Sequence, residues 1–237
     1  MTQLLISVKN LEEAKLAFAA GVDIIDLKNP NEGALGALDL TVTREIVQQV
    51  NGQVVVSATV GELHANIEAL VADIQLRADV GIDIVKIAVS SLFMQDHFFD
   101  AISLLTKKDI KLVAVFFADD ATDLDILPKL KNAGFYGAML DTRDKRKNLL
   151  QVQSVQVLHS FTQQCKYSQL KSGMAGSLQP QHIDLLKELN LTYLGFRGGV
   201  CENAQRKSNL NDSKMRQVIN MLRNGNKNSE KARLILG

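Results

Sequence analysis

Short apolar runs alternate with amphipathic segments along the whole chain. The first run, Leu4 to Val8, is rich in β-branched and large apolar residues and reads as a strand. Asn10 then offers an N-cap, with Glu12 and Glu13 in the first turn of a helix, LEEAKLAFAA, that stops at Gly21. The second run begins at Val22 and ends at Asn29-Pro30, because proline has no N–H for a ladder. The same alternation predicts further strands at Gln53–Thr59, Asp83–Val89, Lys111–Phe117, Tyr136–Asp141, Gln169–Met174 and Thr192–Phe196. Between and after them it predicts helices over Thr41–Val50, His64–Val80, Gln95–Lys107, Thr122–Ala133, Asn148–Gln164, Pro180–Asn190 and Asp212–Arg223. Pro128 falls inside the Thr122–Ala133 helix and is expected to kink it.

One unit recurs. AAGVDIIDLK, DVGIDIVKIA, NAGFYGAMLD and ELNLTYLGFR each close a helix and open a strand, and each interval between them holds two strand–helix units. Eight such units without a linker predict an α/β fold, a single-domain (β/α)8 TIM barrel over residues 1–237, with residues 224–237 as a polar C-terminal tail. A doubly wound open sheet is the alternative. It would more often place a glycine-rich dinucleotide turn after the first strand, where this chain has VKNLEE.

Composition narrows the function. A length of 237 residues with 46% hydrophobic and 22% charged residues is globular. A net charge of +1 gives no field for nucleic acid or an anionic membrane, so neither is an expected partner. Cys165 and Cys201 form no paired motif, which suggests a reducing, cytoplasmic setting. His64, His97, His159 and His182 show no ligand spacing, and no metal is expected. No run of about 18 apolar residues exists to span a membrane, and the N-terminus has no apolar signal core.

The charges then single out one end of the barrel. Side chains alternate along a strand, so Ile24, Asp26 and Lys28 share a face. Two charges on an apolar strand face are costly unless something needs them. Chemistry in this fold sits at the C-terminal ends of strands. Those ends carry Asp26 and Lys28 on the second strand and Lys86, on the face of Ile84 and Ala88, on the fourth. The sixth ends in Asp141, with Thr142 and Lys145 just beyond, and the eighth in Arg197. All four strands are even-numbered, so these side chains are expected to converge near one mouth. Taken singly, each could be a snorkelling or solvent-paired group. The glycines at Gly176-Ser177 and Arg197-Gly198-Gly199 lie where barrels often hold phosphate, with Arg197 able to add a bidentate contact. Lys107, Lys108 and Lys111 read as a solvated turn, Asp119 and Asp120 favour a helix N-cap over a ligand contact, and Glu62 and Asn66 fit either a ligand or a structural role.

ISVKNLEEAKLAFAAGVDIIDLKNPNEGALGA, VVVSATVGE, DIVKIAV, AMLDTRDK, MAGSLQPQHIDLLKELN and GFRGGVC together resemble the (5-formylfuran-3-yl)methyl phosphate synthase family of methanofuran-type cofactor synthesis, across about residues 3 to 223. The resemblance implies a lyase, similar to class I aldolases, that joins two molecules of glyceraldehyde 3-phosphate through a lysine Schiff base, without a cofactor. It implies that Lys28 of DLKNP is the Schiff-base lysine and Lys86 of IVKIAV the acid/base lysine, with Asp26, Asp141 and Lys145 as further polar site positions. The chain departs from the family at Arg146-Lys147, where Asp-Gly is usual, and at Glu202-Asn203, where glycine is usual.

The residues agree with that chemistry. A lysine attacks an aldehyde as the neutral amine, which burial and a neighbouring ammonium both favour. The expected partner is a triose phosphate, and the expected assembly a homo-oligomer. Two alternatives stay open: another Schiff-base aldolase or lyase acting on sugar phosphates, and a non-catalytic barrel that binds a phosphorylated metabolite. Binding alone does not call for one buried amine beside another.

Overall fold

A computed structural model describes residues 1–95, 97–120 and 123–224. Eight parallel strands close into a barrel in sequence order. They are β1 (Gln3–Val8), β2 (Ile24–Leu27), β3 (Val55–Thr59), β4 (Ile84–Ala88), β5 (Lys111–Phe117), β6 (Gly137–Asp141), β7 (Lys171–Met174) and β8 (Tyr193–Phe196). Closure comes from β1, which pairs with β2 through Leu5 and Ile24 and with β8 through Leu5 and Gly195. The open-sheet alternative is thereby excluded.

Parity along each strand decides which side chains meet inside. On β2, Ile24 packs in the lumen while Ile25 and Leu27 pack outward against the helices. On β4, Ile84 and Ala88 face in while Val85 and Ile87 face out. On β6, Met139 faces in while Ala138 and Leu140 face out. The lumen is filled by these residues together with Leu5, Val113, Val115, Phe117 and Tyr193. On their own strands the inward positions that follow Ile24, Ile84 and Met139 are charged: Asp26, Lys86 and Asp141. The outer layer is the larger core, in which Phe98, Phe161, Phe196 and Ile74 are fully buried.

Nine α-helices are present among the described residues: α1 (Leu11–Ala20), α2 (Leu40–Val50), α3 (Ile67–Asp79), α4 (Phe98–Thr106), α5 (Leu127–Asn132), α6 (Leu149–Val152), α7 (Val155–Tyr167), α8 (Ile183–Lys187) and α9 (Asp212–Arg223). Asn10 caps α1 by accepting from Glu13 N–H, and Gly21 closes it in the left-handed region at φ 78°.

Several boundaries differ from the sequence expectation. The helix expected from His64 starts at Ile67, because Asn66 is its N-cap and accepts from Ala69 N–H. The single helix expected over Asn148–Gln164 is two, since Ser154 caps a new helix by accepting from Val157 N–H. Pro128 lies in the first turn of α5, preceded by a short 3-10 turn at Leu124–Ile126. It starts that helix instead of kinking it, because a first-turn N–H has no intrahelical partner to lose. The expected start of that helix at Thr122 and the tail beyond residue 224 lie outside the described residues.

Candidate active site

A cavity of about 260 Å³ opens at the C-terminal end of the barrel. Lys28, Asp141 and Lys145 line it, as do Gly176, Ser177, Gly198 and Arg206. That volume suits a small metabolite.

At this end of the barrel two carboxylates organise three lysines, of which Lys28 and Lys145 line the cavity with Asp141, while Lys86 and Asp26 lie buried outside its lining. Lys86 is 2% exposed and its Nζ lies 2.5 Å from Asp26 Oδ1. Asp26 is fully buried and accepts from Ser57 Oγ at 2.7 Å and from Ser7 Oγ at 2.8 Å, hydroxyls supplied by the strands on either side of β2. Asp141 takes the other two cations. Lys28 Nζ donates to its Oδ2 at 3.2 Å, and Lys145 Nζ to its Oδ1 at 2.6 Å. Asp26 and Lys28 share a face but do not pair with each other. Each reaches across the lumen to another strand, because neighbouring inward positions on one strand project in parallel. Asp26, Lys28, Lys86, Asp141 and Lys145 thus come together at one mouth.

The electrostatics follow from burial. For Lys86, loss of water around the ammonium pulls its pKa below the ordinary lysine value; Asp26 opposes this, and the charge of Lys28 adds to it. For Lys145, burial is again the largest cause and the Lys28 charge again adds, against the pull of Asp141, which leaves it at about 8. Burial alone would raise Asp141. The ammonium groups of Lys145 and Lys28 overcome it and hold this carboxyl well below its usual range.

Arg197 differs from expectation. Its guanidinium is paired with Glu13, through Nη1 to Oε2 and through Nη2 to Oε1 at 3.1 Å. Its remaining donors reach backbone carbonyls: Ser7 at 3.1 Å, Arg206 at 2.8 Å and Ser208 at 2.9 Å. With every N–H directed at a protein acceptor, Arg197 ties β8 to β1 and to its own following loop, and it has no donor left for a phosphate. Gly199 is also accounted for by packing, since a Cβ there would lie 2.2 Å from the carbonyl oxygen of Leu178. Arg197 itself lines the cavity, as do Gly176, Ser177 and Gly198. Among the described residues the N–H groups of these three have no hydrogen-bond acceptor. Gly176 has φ 109° and stands against Thr142, 2.9 Å from a Cβ built on it to Thr142 Cγ2, so both its conformation and its surroundings call for glycine.

Asp119 and Asp120 make loop-to-loop contacts that the sequence did not indicate. Asp119 accepts from the N–H groups of Arg143 and Asp144 at 2.7 and 2.6 Å, and Asp120 pairs with Arg143 at 2.8 Å. They join the loop after β5 to the loop after β6. Glu62 resolves as structural: its Oε1 accepts from Ala34 N–H and from Leu35 N–H at 2.8 Å, pinning the glycine loop after β2, and its Oε2 meets Arg143.

Two contributions escaped the sequence. Ser7 and Ser57 sit at strand ends and look like ordinary small residues, yet parity alone would have placed Ser7 inward beside Asp26, its register partner. Arg206 lies in an irregular loop with no periodicity to point to it, and it lines the cavity half-buried.

Comparison with known proteins bears on this site. The family described as 4-HFC-P synthase matches residues 4–219. A protein from Methanocaldococcus jannaschii named (5-formylfuran-3-yl)methyl phosphate synthase is 35% identical over 218 residues, covering 86% of this chain and 92% of the relative. A relative from Methylorubrum extorquens, provisionally given the same name, is 37% identical over 228 residues, covering 94% of this chain and 92% of its own length. Among solved structures, 3-hexulose-6-phosphate synthase from Salmonella typhimurium superposes with a TM-score of 0.66 at 15% identity, covering 93% of this chain and 98% of that one. At that identity the likeness speaks for the fold.

Proposed function

The chain belongs to the 4-HFC-P synthase family, and we propose that it condenses two molecules of glyceraldehyde 3-phosphate to (5-formylfuran-3-yl)methyl phosphate through an imine on Lys28, a lyase step of methanofuran-type cofactor synthesis. The observation that carries the reading is the division of the lysines between two carboxylates, one pair lining the cavity and one buried. Lys28 reaches the cavity with its amine on Asp141, while Lys86 lies fully buried on Asp26.

In this reading the Lys28 amine adds to the aldehyde of the first triose phosphate. The carbinolamine oxygen then leaves as water, taking a proton from Lys145, which is mostly an ammonium at neutral pH. The resulting iminium acidifies the neighbouring carbon. Lys86 takes that proton, because its burial favours the neutral amine. The enamine attacks the second aldehyde and a carbon–carbon bond forms. Loss of one phosphate and of water, ring closure and hydrolysis of the imine give the furan aldehyde and return the lysine. Two triose phosphates thus become one furan phosphate, one inorganic phosphate and two molecules of water. The N–H groups of Gly176, Ser177 and Gly198, free of protein acceptors, suit the retained phosphate, since a turn of unpaired amides is an anion cradle.

No helix among the described residues is long and apolar enough to cross a membrane. The proposal places the enzyme in the cytoplasm.

Product identification from purified protein and glyceraldehyde 3-phosphate tests the reading. A furan aldehyde phosphate with release of one phosphate per two trioses is expected. An aldol adduct that keeps both phosphates would assign the protein to another Schiff-base lyase, and binding without turnover would make it a non-catalytic barrel.

A further inference from the structure

The proposed reaction brings two phosphates into one cavity, and the amides of Gly176, Ser177 and Gly198 are assigned above to the retained one. We infer that Arg206 holds the phosphate of the second triose phosphate, the molecule that enters after the imine has formed. This inference rests on the reading proposed above.

Arg206 stands in the long connection between β8 and α9, and its side chain lines the cavity. Its Nη2 donates to Gly33 O at 2.7 Å, so the side chain bridges the loop after β8 and the glycine loop after β2. Among the described residues Nε and Nη1 have no protein acceptor, and no carboxylate forms an ion pair with this guanidinium. The carboxylates that it feels are otherwise engaged. Asp141 carries Lys28 and Lys145, and Glu62 carries Arg143 and the amides of Ala34 and Leu35.

The backbone that presents Arg206 is held firmly. Arg197 Nε donates to Arg206 O at 2.8 Å, Arg197 Nη2 to Ser208 O at 2.9 Å, and Lys9 Nζ to Lys207 O at 2.7 Å. A planar fork with idle donors, fixed at its base and at one tip, is preorganised for a bidentate grip on an oxyanion. The charges agree. Arg146 is paired with Asp144 and Arg197 with Glu13, whereas Lys28, Lys145 and Arg206 share a cavity lining in which Asp141 is the carboxylate, which leaves a positive excess there. The Arg206 tip reaches the β2 loop and Gly176 and Ser177 belong to the β7 loop, while Gly198 of the β8 loop packs beside the Arg206 backbone, where a Cβ built on it would lie 3.9 Å from Arg206 Cβ; the anion contacts therefore run from the β7 loop across the β8 loop to the β2 loop.

The test uses the full chain, glyceraldehyde 3-phosphate, borohydride trapping with peptide mapping, and steady-state furan formation. Arg206→Gln keeps an amide donor for Gly33 O and removes the charge; Arg206→Ala removes both. Both variants are expected to trap the first triose on Lys28 as wild type does, and to lose about 10²-fold in kcat/KM for the furan, chiefly through KM. Arg206→Lys should recover part of that loss as a point charge. An Arg206→Gln variant within threefold of wild type would reduce Arg206 to a loop bridge and overturn the inference. Parallel loss of trapping would overturn it too, by moving Arg206 to the first triose. Wild-type protein that traps nothing sinks the proposed reaction itself, and the assignment falls with it.

Discussion

Lys28 and Lys145 share one carboxylate: Asp141 Oδ2 receives the first at 3.2 Å and Oδ1 the second at 2.6 Å. The carboxylate is 2% exposed and takes a further hydrogen bond from Thr142 N–H at 2.8 Å. One buried carboxylate thus serves two lysines at the cavity wall. The longer of the two contacts is the one made by Lys28, so the nucleophile proposed here is held more loosely than the proton donor beside it.

Lys28→Ala is expected to abolish borohydride trapping and turnover while the barrel still folds. Lys28→Arg should be equally inactive, because a guanidinium stays protonated and cannot attack a carbonyl. Peptide mapping of the reduced wild-type adduct decides the assignment: label on Lys86 with Lys28 unmodified would exchange the two roles.

Lys86→Met separates catalysis from stability. It should lower turnover by about 10² to 10⁴-fold through loss of the proton acceptor. It should also lower stability by about 3–5 kcal/mol, because Asp26 remains fully buried without its cation. Adding Asp26→Asn should restore most of the stability, measured by denaturant unfolding, and none of the turnover. Recovery of turnover in the double variant would show that Lys86 acts only by balancing Asp26.

Lys145 sets a pH dependence. Its value in the fold, about 8, is below its ordinary one, so between about pH 8 and 10.5 the folded protein has lost a proton that the unfolded chain still holds. Stability from this group therefore rises with pH across that window, as the penalty of burying an ammonium disappears. Activity should move the other way, since the proton donor is lost. The expected profile of kcat/KM has a falling limb near pH 8 that is absent in Lys145→Met. A falling limb retained by that variant would remove Lys145 from the proton transfers.

Much of this was legible because period-two alternation is rigid. Once Ile24 and Ile84 face inward, Asp26 and Lys86 have no other direction to take, and the same parity brings Asp141 above Met139. Partner choice was not legible. Asp26 and Lys28 look like a pair in sequence, yet each finds its partner on another strand, through a register that only barrel closure fixes. Arg197 was misread for the same reason. Its partner Glu13 lies 184 residues away on α1, and nothing near Arg197 in sequence announces it. Arg206 belongs to a loop, where no periodicity says which side chain turns toward a cavity.

The Glu13–Arg197 pair yields the last prediction. Both side chains are nearly buried, at 5% and 11% exposure, and the guanidinium satisfies carbonyls from β1 and from the loop that carries Arg206. Arg197→Met would leave Glu13 buried with only Lys9, whose N–H donates at 2.9 Å and whose ammonium stays 3.7 Å away. A loss of about 3–5 kcal/mol is expected, which in a domain of this size lowers Tm by roughly 2–4 °C for each kcal/mol. Arg197→Lys should recover little, since one ammonium cannot reach the spread of acceptors that the planar fork meets. Glu13→Gln combined with Arg197→Met should cost less than the two single changes added together, because each alone strands its partner. Thermal unfolding of the four proteins measures that coupling. Additive costs with unchanged Tm in Arg197→Met, accompanied by loss of affinity for inorganic phosphate, would return Arg197 to the anion site and contradict the role that its five hydrogen bonds describe.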